Sequence, residues 1–321
     1  MHADLDCVGE FLEASPGFAR SKNAIIVAGH TSSSTVLIGG VRVAVVTGPM
    51  KHFDGGARAP VPTMIDLARG SLAEFVAMLL FVFFGCGSAS SNAHFKGGQW
   101  DPAATTIIAL QFGLAITVLA FATAHTSGGH INCAVTFALT IVGTCHPLRA
   151  ICYVVAQLSG SVVGAALLKA TTSGDASALD RTGGLGANGY QHASVTDGNA
   201  FLVEAMGTLL LVFVVLETAV NAKAVTTDGE IMVRGNKQNL APIPIGLAVF
   251  LAHVVCIPIT GCSINPTRSF GPALVAGKWD KHWMWWVAPL TGSAIASLLW
   301  GAVKWLDDAD KEKTLADSSS I

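Results

Sequence analysis

Six stretches of this chain are apolar and long enough to cross a bilayer, and no other feature limits its fold so severely. A hydrocarbon core roughly 30 Å thick needs about 20 mostly apolar residues per helix, because a backbone in lipid must satisfy its own hydrogen bonds. The windows run from Gly70 to Ser91, Ala104 to His125, Ala150 to Lys169, Asn199 to Val220, Ala241 to Ile259 and Met284 to Leu306. Composition agrees: 51% of the 321 residues are apolar and 12% charged, whereas a soluble domain carries about 25% charged residues. The formal charge of −2 leaves no basic surplus to neutralise phosphates, so nucleic acid is excluded as the main partner and the lipid bilayer is the expected surroundings.

Six crossings put both termini on one face. The termini and the second and fourth loops hold 13 of the 19 Lys and Arg residues, and the positive-inside rule makes that face cytoplasmic. Two further apolar segments, Asn132 to Val142 and Asn265 to Ala276, are half the length of a span and follow Gly-rich turns, which predicts re-entrant half-helices. Ahead of the first span, residues 1–65 form an extension of unassigned role. It shows weak alternation over Ile25 to Val27, Thr35 to Ile38 and Val41 to Val46, and no secretory signal, although an organelle address remains open. The polar loop from Lys223 to Asn239 is long enough to move, and residues 307–321 form a charged tail that composition marks as frayed. The seven cysteines, among them the isolated Cys7, lack metal-site or disulfide spacing and read as single thiols.

The chain repeats itself. Ser71-Leu-Ala-Glu74-Phe echoes Phe201-Leu-Val-Glu204-Ala, an offset of 130 residues, and Gly128-Gly-His130-Ile-Asn132 echoes Gly261-Cys262-Ser-Ile-Asn265, an offset of 133. The units cover about residues 66–170 and 199–306. Each has three spans and one half-helix, and an odd number of spans inserts the second copy upside down. The expected fold is therefore an all-α membrane protein of six transmembrane helices and two re-entrant half-helices in an inverted repeat, with the half-helix tips meeting at the midplane.

Chemistry concentrates at those tips. Asn132-Cys133-Ala134 and Asn265-Pro266-Thr267 each open a half-helix with a strong N-cap, and Pro266 sits at the first helical position, where a missing N–H costs nothing. The two helix starts aim positive partial charge at one point. Asn amides held there donate to a passing water oxygen while the dipoles oppose cations, which breaks the wire a proton would follow. That arrangement implies a channel for neutral solutes. Glu74 and Glu204 are acids inside apolar spans at equivalent positions of the two repeats; both a proton relay and a loop-holding role fit them, and the need of irregular backbone for acceptors in the bilayer favours the second. Gly160 and Gly164 in the third window have the spacing of a close helix contact.

The two loops, Gly-Gly-His130-Ile-Asn132-Cys133-Ala134-Val-Thr and Gly-Cys262-Ser-Ile-Asn265-Pro266-Thr267-Arg268-Ser269, resemble the signature loops of the aquaporin (major intrinsic protein) family over about residues 66–306. The resemblance implies a six-helix pore in each subunit of a homotetramer, with no catalysis, metal or cofactor. It also implies a selectivity filter of the water-selective type at Phe112, His253, Cys262 and Arg268, by their spacing from the two asparagines. In that filter Phe112 is an apolar wall, His253 and Arg268 donate to a water oxygen, and Arg268 repels cations and protons. Cys262 as a filter wall predicts block by a thiol-binding mercurial. Ser269, Ala273, Trp285 and Trp286 fit the same type, with interfacial anchoring open for the two tryptophans, and His130 either lines the inner vestibule or pairs with loop backbone.

Two positions depart from the family pattern. Cys133 stands where most members have proline, restoring an N–H and freeing φ, and Thr267 stands in place of alanine. These departures bear on the constriction, so channels for glycerol, hydrogen peroxide or gases remain the alternative to a water channel. An ion-coupled transporter and a closed structural junction are the more distant ones.

Overall fold

The computed structural model describes residues 25–27, 33–38, 41–46, 59–96, 99–172, 179–221, 226–227, 230–231 and 239–319. The chain divides into Met1–Gly56 and Ala57–Ile321. In the first unit, strands β1 (Ile25–Val27), β2 (Ser33–Ile38) and β3 (Val41–Val46) form one sheet in the order β1-β3-β2. β3 is parallel to β1 and antiparallel to β2, with Ile38 opposite Val41. The question of an organelle address, Cys7 and most of the Lys223 to Asn239 loop lie outside the described residues.

The second unit is helical, and all six expected spans are present: Met64–Asn92, Pro102–Thr123, Pro147–Thr171, Asp197–Val220, Pro242–Thr260 and Met284–Leu306. The first four start where a side-chain cap satisfies the first free N–H groups rather than where apolarity begins. The first span opens six residues before Gly70, because Thr63 and Asp66 form a capping box, with Asp66 N–H donating to Thr63 Oγ1 at 3.1 Å. Asp101 caps the second span ahead of Pro102, and His146 caps the third ahead of Pro147. The fourth ends in a π-helical turn, Leu216–Val220. The tail is a correction to the sequence expectation: instead of fraying after Leu306, the last helix runs on to Ser319. Extending a formed helix needs no new nucleus, and the Ala, Leu, Lys, Glu and Asp of this segment tolerate it.

Packing follows the repeat. The first span lies against the third and the fourth against the sixth, while the second and fifth pack together at the seam. The contacts of the first and third spans depend on the small residues noted in the sequence. A Cβ at Gly160 would collide with the carbonyl of Phe75, and one at Gly164 with that of Leu79. The spans also expose large apolar side chains such as Leu114, Val118, Leu247 and Leu251 on their outer faces, as lipid-facing helices do.

The half-helices are Cys133–Ile141 and Pro266–Ala276. Each is held chiefly by the opposite repeat: the first packs on the sixth span, where Ser293 Oγ donates to the carbonyl of Ala134 at 2.7 Å, and the second packs on the third span. This exchange brings the two tips together.

Candidate functional site

At the tips the asparagines are interlocked. Asn132 Oδ1 accepts from Ala134 N–H at 2.8 Å, and its Nδ2 donates to the Ile264 carbonyl at 2.9 Å. Asn265 Oδ1 accepts from Arg268 N–H at 3.2 Å, and its Nδ2 donates to the Ile131 carbonyl at 2.8 Å. Each oxygen is thus committed to its own helix and one amide hydrogen to the other repeat, which leaves one hydrogen per asparagine for a solute. Ile131 and Ile264 have positive φ, 50° and 43°, the strained backbone that turns their carbonyls toward the opposite asparagine.

The loops leading to the tips hang on buried carboxylates. Glu74 accepts from His130 N–H at 2.9 Å, Ile131 N–H at 2.7 Å, Ser127 Oγ at 2.6 Å and Gln157 Nε2 at 2.8 Å. Glu204 does the same in the other repeat, accepting from Ser263 N–H at 2.8 Å, Ile264 N–H at 2.7 Å and Thr260 Oγ1 at 2.6 Å. These bonds satisfy two non-helical amides in each loop, those of His130 and Ile131 in one and of Ser263 and Ile264 in the other.

Two cavities meet these elements from opposite ends. The first, of about 70 Å³, is lined by Phe81, His130, Val135, Leu211, Val249 and His253 together with both asparagines. The second, of about 80 Å³, is lined by Phe95, Trp100, Ile108, Phe112, Gly186 and Gln191. Each has room for several waters, at about 10–15 Å³ apiece. His130 lines the first cavity, with Nδ1 3.0 Å from Thr136 Oγ1.

Between the cavities stand Phe112, His253 and Arg268, which the structure brings together. The Phe112 and His253 rings are stacked, 4.4 Å between centroids and 23° apart in plane. The Arg268 guanidinium carbon is 4.9 Å from the centre of the Phe112 ring. Phe81 packs edge-on behind Phe112, at 5.5 Å. Arg268 is 1% exposed and has no carboxylate partner among the described residues; Nη1 donates instead to the Gly186 carbonyl at 2.8 Å and to Asn188 Oδ1 at 3.0 Å, while Nε is buried with no partner among them.

His253 Nδ1 lies 2.9 Å from the Val249 carbonyl, which only accepts, so Nδ1 carries a proton. Nε2 is buried without a protein partner, and in the neutral ring it accepts from a water hydrogen. Cys262 is fully enclosed at a backbone φ of 58° and, like Arg268, is not among the residues that line either cavity. Trp285 is also buried, edge-on to Tyr190 at 6.3 Å, rather than at an interface.

The partners of Arg268 come from the connection between the repeats, a segment with no motif to mark it. Asp180 organises it, accepting from Thr182 Oγ1 at 2.6 Å and Leu185 N–H at 2.8 Å. Burial opposes the charge on Asp180, but these hydrogen bonds outweigh it and hold the carboxyl below the usual carboxylate range. Gly186 follows at φ 68°, where a Cβ would lie 3.1 Å from the Cys86 carbonyl oxygen, a backbone conformation and a close approach that favour glycine. Asn188 Oδ1 also accepts from Ser269 Oγ at 2.7 Å. Gln157 escaped notice as well, although a lone amide in an apolar span was a readable signal.

This geometry agrees with the comparisons. Residues 62–300 match the family model described as Major intrinsic protein. The chain belongs to that family. It is 44% identical to aquaporin-2 from Bos taurus over 243 residues, covering 74% of this chain and 80% of the relative. An aquaporin of PIP type from Atriplex canescens is 40% identical over 235 residues, covering 71% and 78% respectively. Among solved structures, the aquaglyceroporin from Plasmodium falciparum aligns with a TM-score of 0.61 and 22% identity, over 73% of this chain and 95% of that one, a likeness in fold alone. As a major intrinsic protein, the chain is a multi-pass membrane protein and a channel for water or small solutes, not an enzyme.

Proposed function

We propose that this chain is a passive water channel that conducts water in single file and excludes protons and ions, with both termini cytoplasmic and with four subunits assembled around four separate pores. In this reading residues 66–306 form the channel domain, residues 1–65 an extension and residues 307–321 a cytoplasmic tail. The observation that carries it is the stacking of Phe112 on His253 under Arg268, between two cavities that each have room for water. The stacked rings leave a passage whose polar edge is one guanidinium and one imidazole nitrogen. A water there accepts from Arg268 and donates to His253 Nε2. Farther in, the free amide hydrogens of Asn132 and Asn265 hold a water oxygen so that both its hydrogens point away, and the chain of donors reverses at that point. Two half-helix N-termini and Arg268 add positive potential against cations. Glu74 and Glu204 keep the loops in place and do not relay protons, since their oxygens are engaged by loop donors. Cys262 contributes packing beside the filter.

The test is osmotic shrinkage of proteoliposomes in sucrose, followed by light scattering with a proton-sensitive dye inside. A channel of this kind gives water flux that does not saturate, needs no ion gradient and has an activation energy near that of bulk water, with no matching proton flux. Saturating or ion-dependent flux would indicate a carrier instead.

A further inference from the structure

The two departures from the family pattern face each other across the midplane. Cys133 N–H donates to Thr267 Oγ1 at 3.3 Å, and that hydroxyl in turn donates to Asn265 Oδ1 at 2.7 Å. Thr267 also stands 3.4 Å from Gln157 Oε1, whose amide nitrogen donates to Glu74. All of these side chains are buried: Thr267 and Gln157 are 0% exposed.

The chemistry of the two residues is reciprocal. Proline at position 133 would need no acceptor, whereas cysteine restores an N–H that a buried site must satisfy. Thr267 supplies that acceptor, and alanine could not. In the other direction, a proline ring at position 133 would place its Cδ where the N–H now points, inside contact distance of the threonine hydroxyl. The hydroxyl has one hydrogen, and the short bond to Asn265 takes it, so the lone pairs are free to accept from Cys133. Asn265 Oδ1 therefore has two donors, Thr267 Oγ1 and Arg268 N–H, which fixes its amide with the nitrogen toward Ile131 and the pore. At the opposite tip, Asn132 has only Ala134 N–H in this role, because position 134 carries no hydroxyl.

We propose that Cys133 and Thr267 are an interdependent pair of positioning residues, in which the Cys133 amide and the Thr267 hydroxyl together set the distance between the half-helices and the orientation of Asn265. The pairing deepens the water-channel reading and rests on it for its consequence in transport.

A double-mutant cycle on the full chain tests it, using Cys133→Pro, Thr267→Val, Thr267→Ser, Thr267→Ala and Cys133→Pro with Thr267→Ala. Water permeability per inserted channel, proton flux relative to water flux, and the thermal unfolding midpoint in detergent are read for each. Cys133→Pro, Thr267→Ala and Thr267→Val should each lower unit water permeability by roughly threefold or more, and the Cys133→Pro, Thr267→Ala double variant should recover to within about twofold of the parent, a non-additivity expected only of groups in contact. Thr267→Val, close in shape but without the hydroxyl, should also raise proton flux relative to water flux, which a merely less stable channel would not do. Thr267→Ser should restore what Thr267→Val loses. A single variant that fails to insert supports the pairing if the double variant inserts. Effects that multiply in the double variant, a Cys133→Pro channel equal to the parent, or a Thr267→Val channel equal to Thr267→Ser would overturn it. The unfolding arm keeps the two readings separate: a parent that conducts no water refutes the functional proposal, and the cycle on the unfolding midpoint still judges the pair.

Discussion

Asn132 and Asn265 exchange hydrogen bonds across the centre of the molecule, each donating to the carbonyl of the isoleucine that precedes the other, at 2.9 and 2.8 Å. The tips of two half-helices from opposite repeats are thereby tied into one unit, and the orientation of each amide depends on the other. Replacing Asn265 by Asp removes both amide hydrogens and sets a negative charge against the Ile131 carbonyl. The unpaired carbonyl alone should cost about 1–3 kcal/mol of stability. Water flux should fall and a cation conductance should appear in planar bilayers; unchanged conductance and stability would count against the interlock.

Glu204→Gln should destabilise the second loop. Glu204 receives two backbone N–H groups and a hydroxyl, and an amide offers one acceptor oxygen where the carboxylate has two. One N–H would face an NH₂ group, at a cost of about 1–3 kcal/mol for each buried group left unpaired. Chemical denaturation in detergent reads this loss, and Glu74→Gln should behave alike.

Acid should loosen the support of Arg268 from outside the membrane. Because the folded protein holds the Asp180 carboxyl below its unfolded value of about 3.9, the associated stability is present above that pH and is lost as pH falls through the lower, folded value. Hydrogen exchange at the amides of Leu185 and Gly186 should therefore become less protected in acid, beyond the intrinsic pH dependence of exchange. Asp180→Asn should show the weaker protection already at neutral pH. Equal protection in parent and variant would disconnect Asp180 from this loop.

The contact of the first and third spans should not tolerate a methyl group. Gly160→Ala drives its Cβ into the Phe75 carbonyl, an overpacking that should cost about 1–3 kcal/mol. Gly301, in the last helix, has nothing within 4 Å of a built Cβ, and Gly301→Ala should leave the unfolding midpoint unchanged or slightly raised.

Much of this architecture was legible because membrane helices announce themselves by length, and because Asn132 and Asn265 are N-caps whose function is local. What one residue does to its immediate neighbours along the chain can be read from sequence. The first span's start at Met64 was missed since the Thr63 and Asp66 box matters more than apolarity there, and the helical tail was missed because continuation from a formed helix leaves no compositional mark. Long-range partners were the main omission. Nothing near Gly186 or Asn188 in the chain indicates that their oxygens reach Arg268 some 80 residues on. The proton on His253 Nδ1 was hidden for a related reason: its acceptor is the Val249 carbonyl, a backbone group common to every helix.

The most direct measurement is a parallel one of water and glycerol permeability in proteoliposomes of the parent and of His253→Ala. Removing the imidazole from its stack on Phe112 opens the narrowest place the side chains define. The parent should pass water and no glycerol above the protein-free background, and His253→Ala should gain glycerol flux clearly above that background while still conducting water. A parent that passes glycerol as readily as water, or a variant whose glycerol flux stays at background although it inserts and conducts water, would contradict a filter built on Phe112, His253 and Arg268.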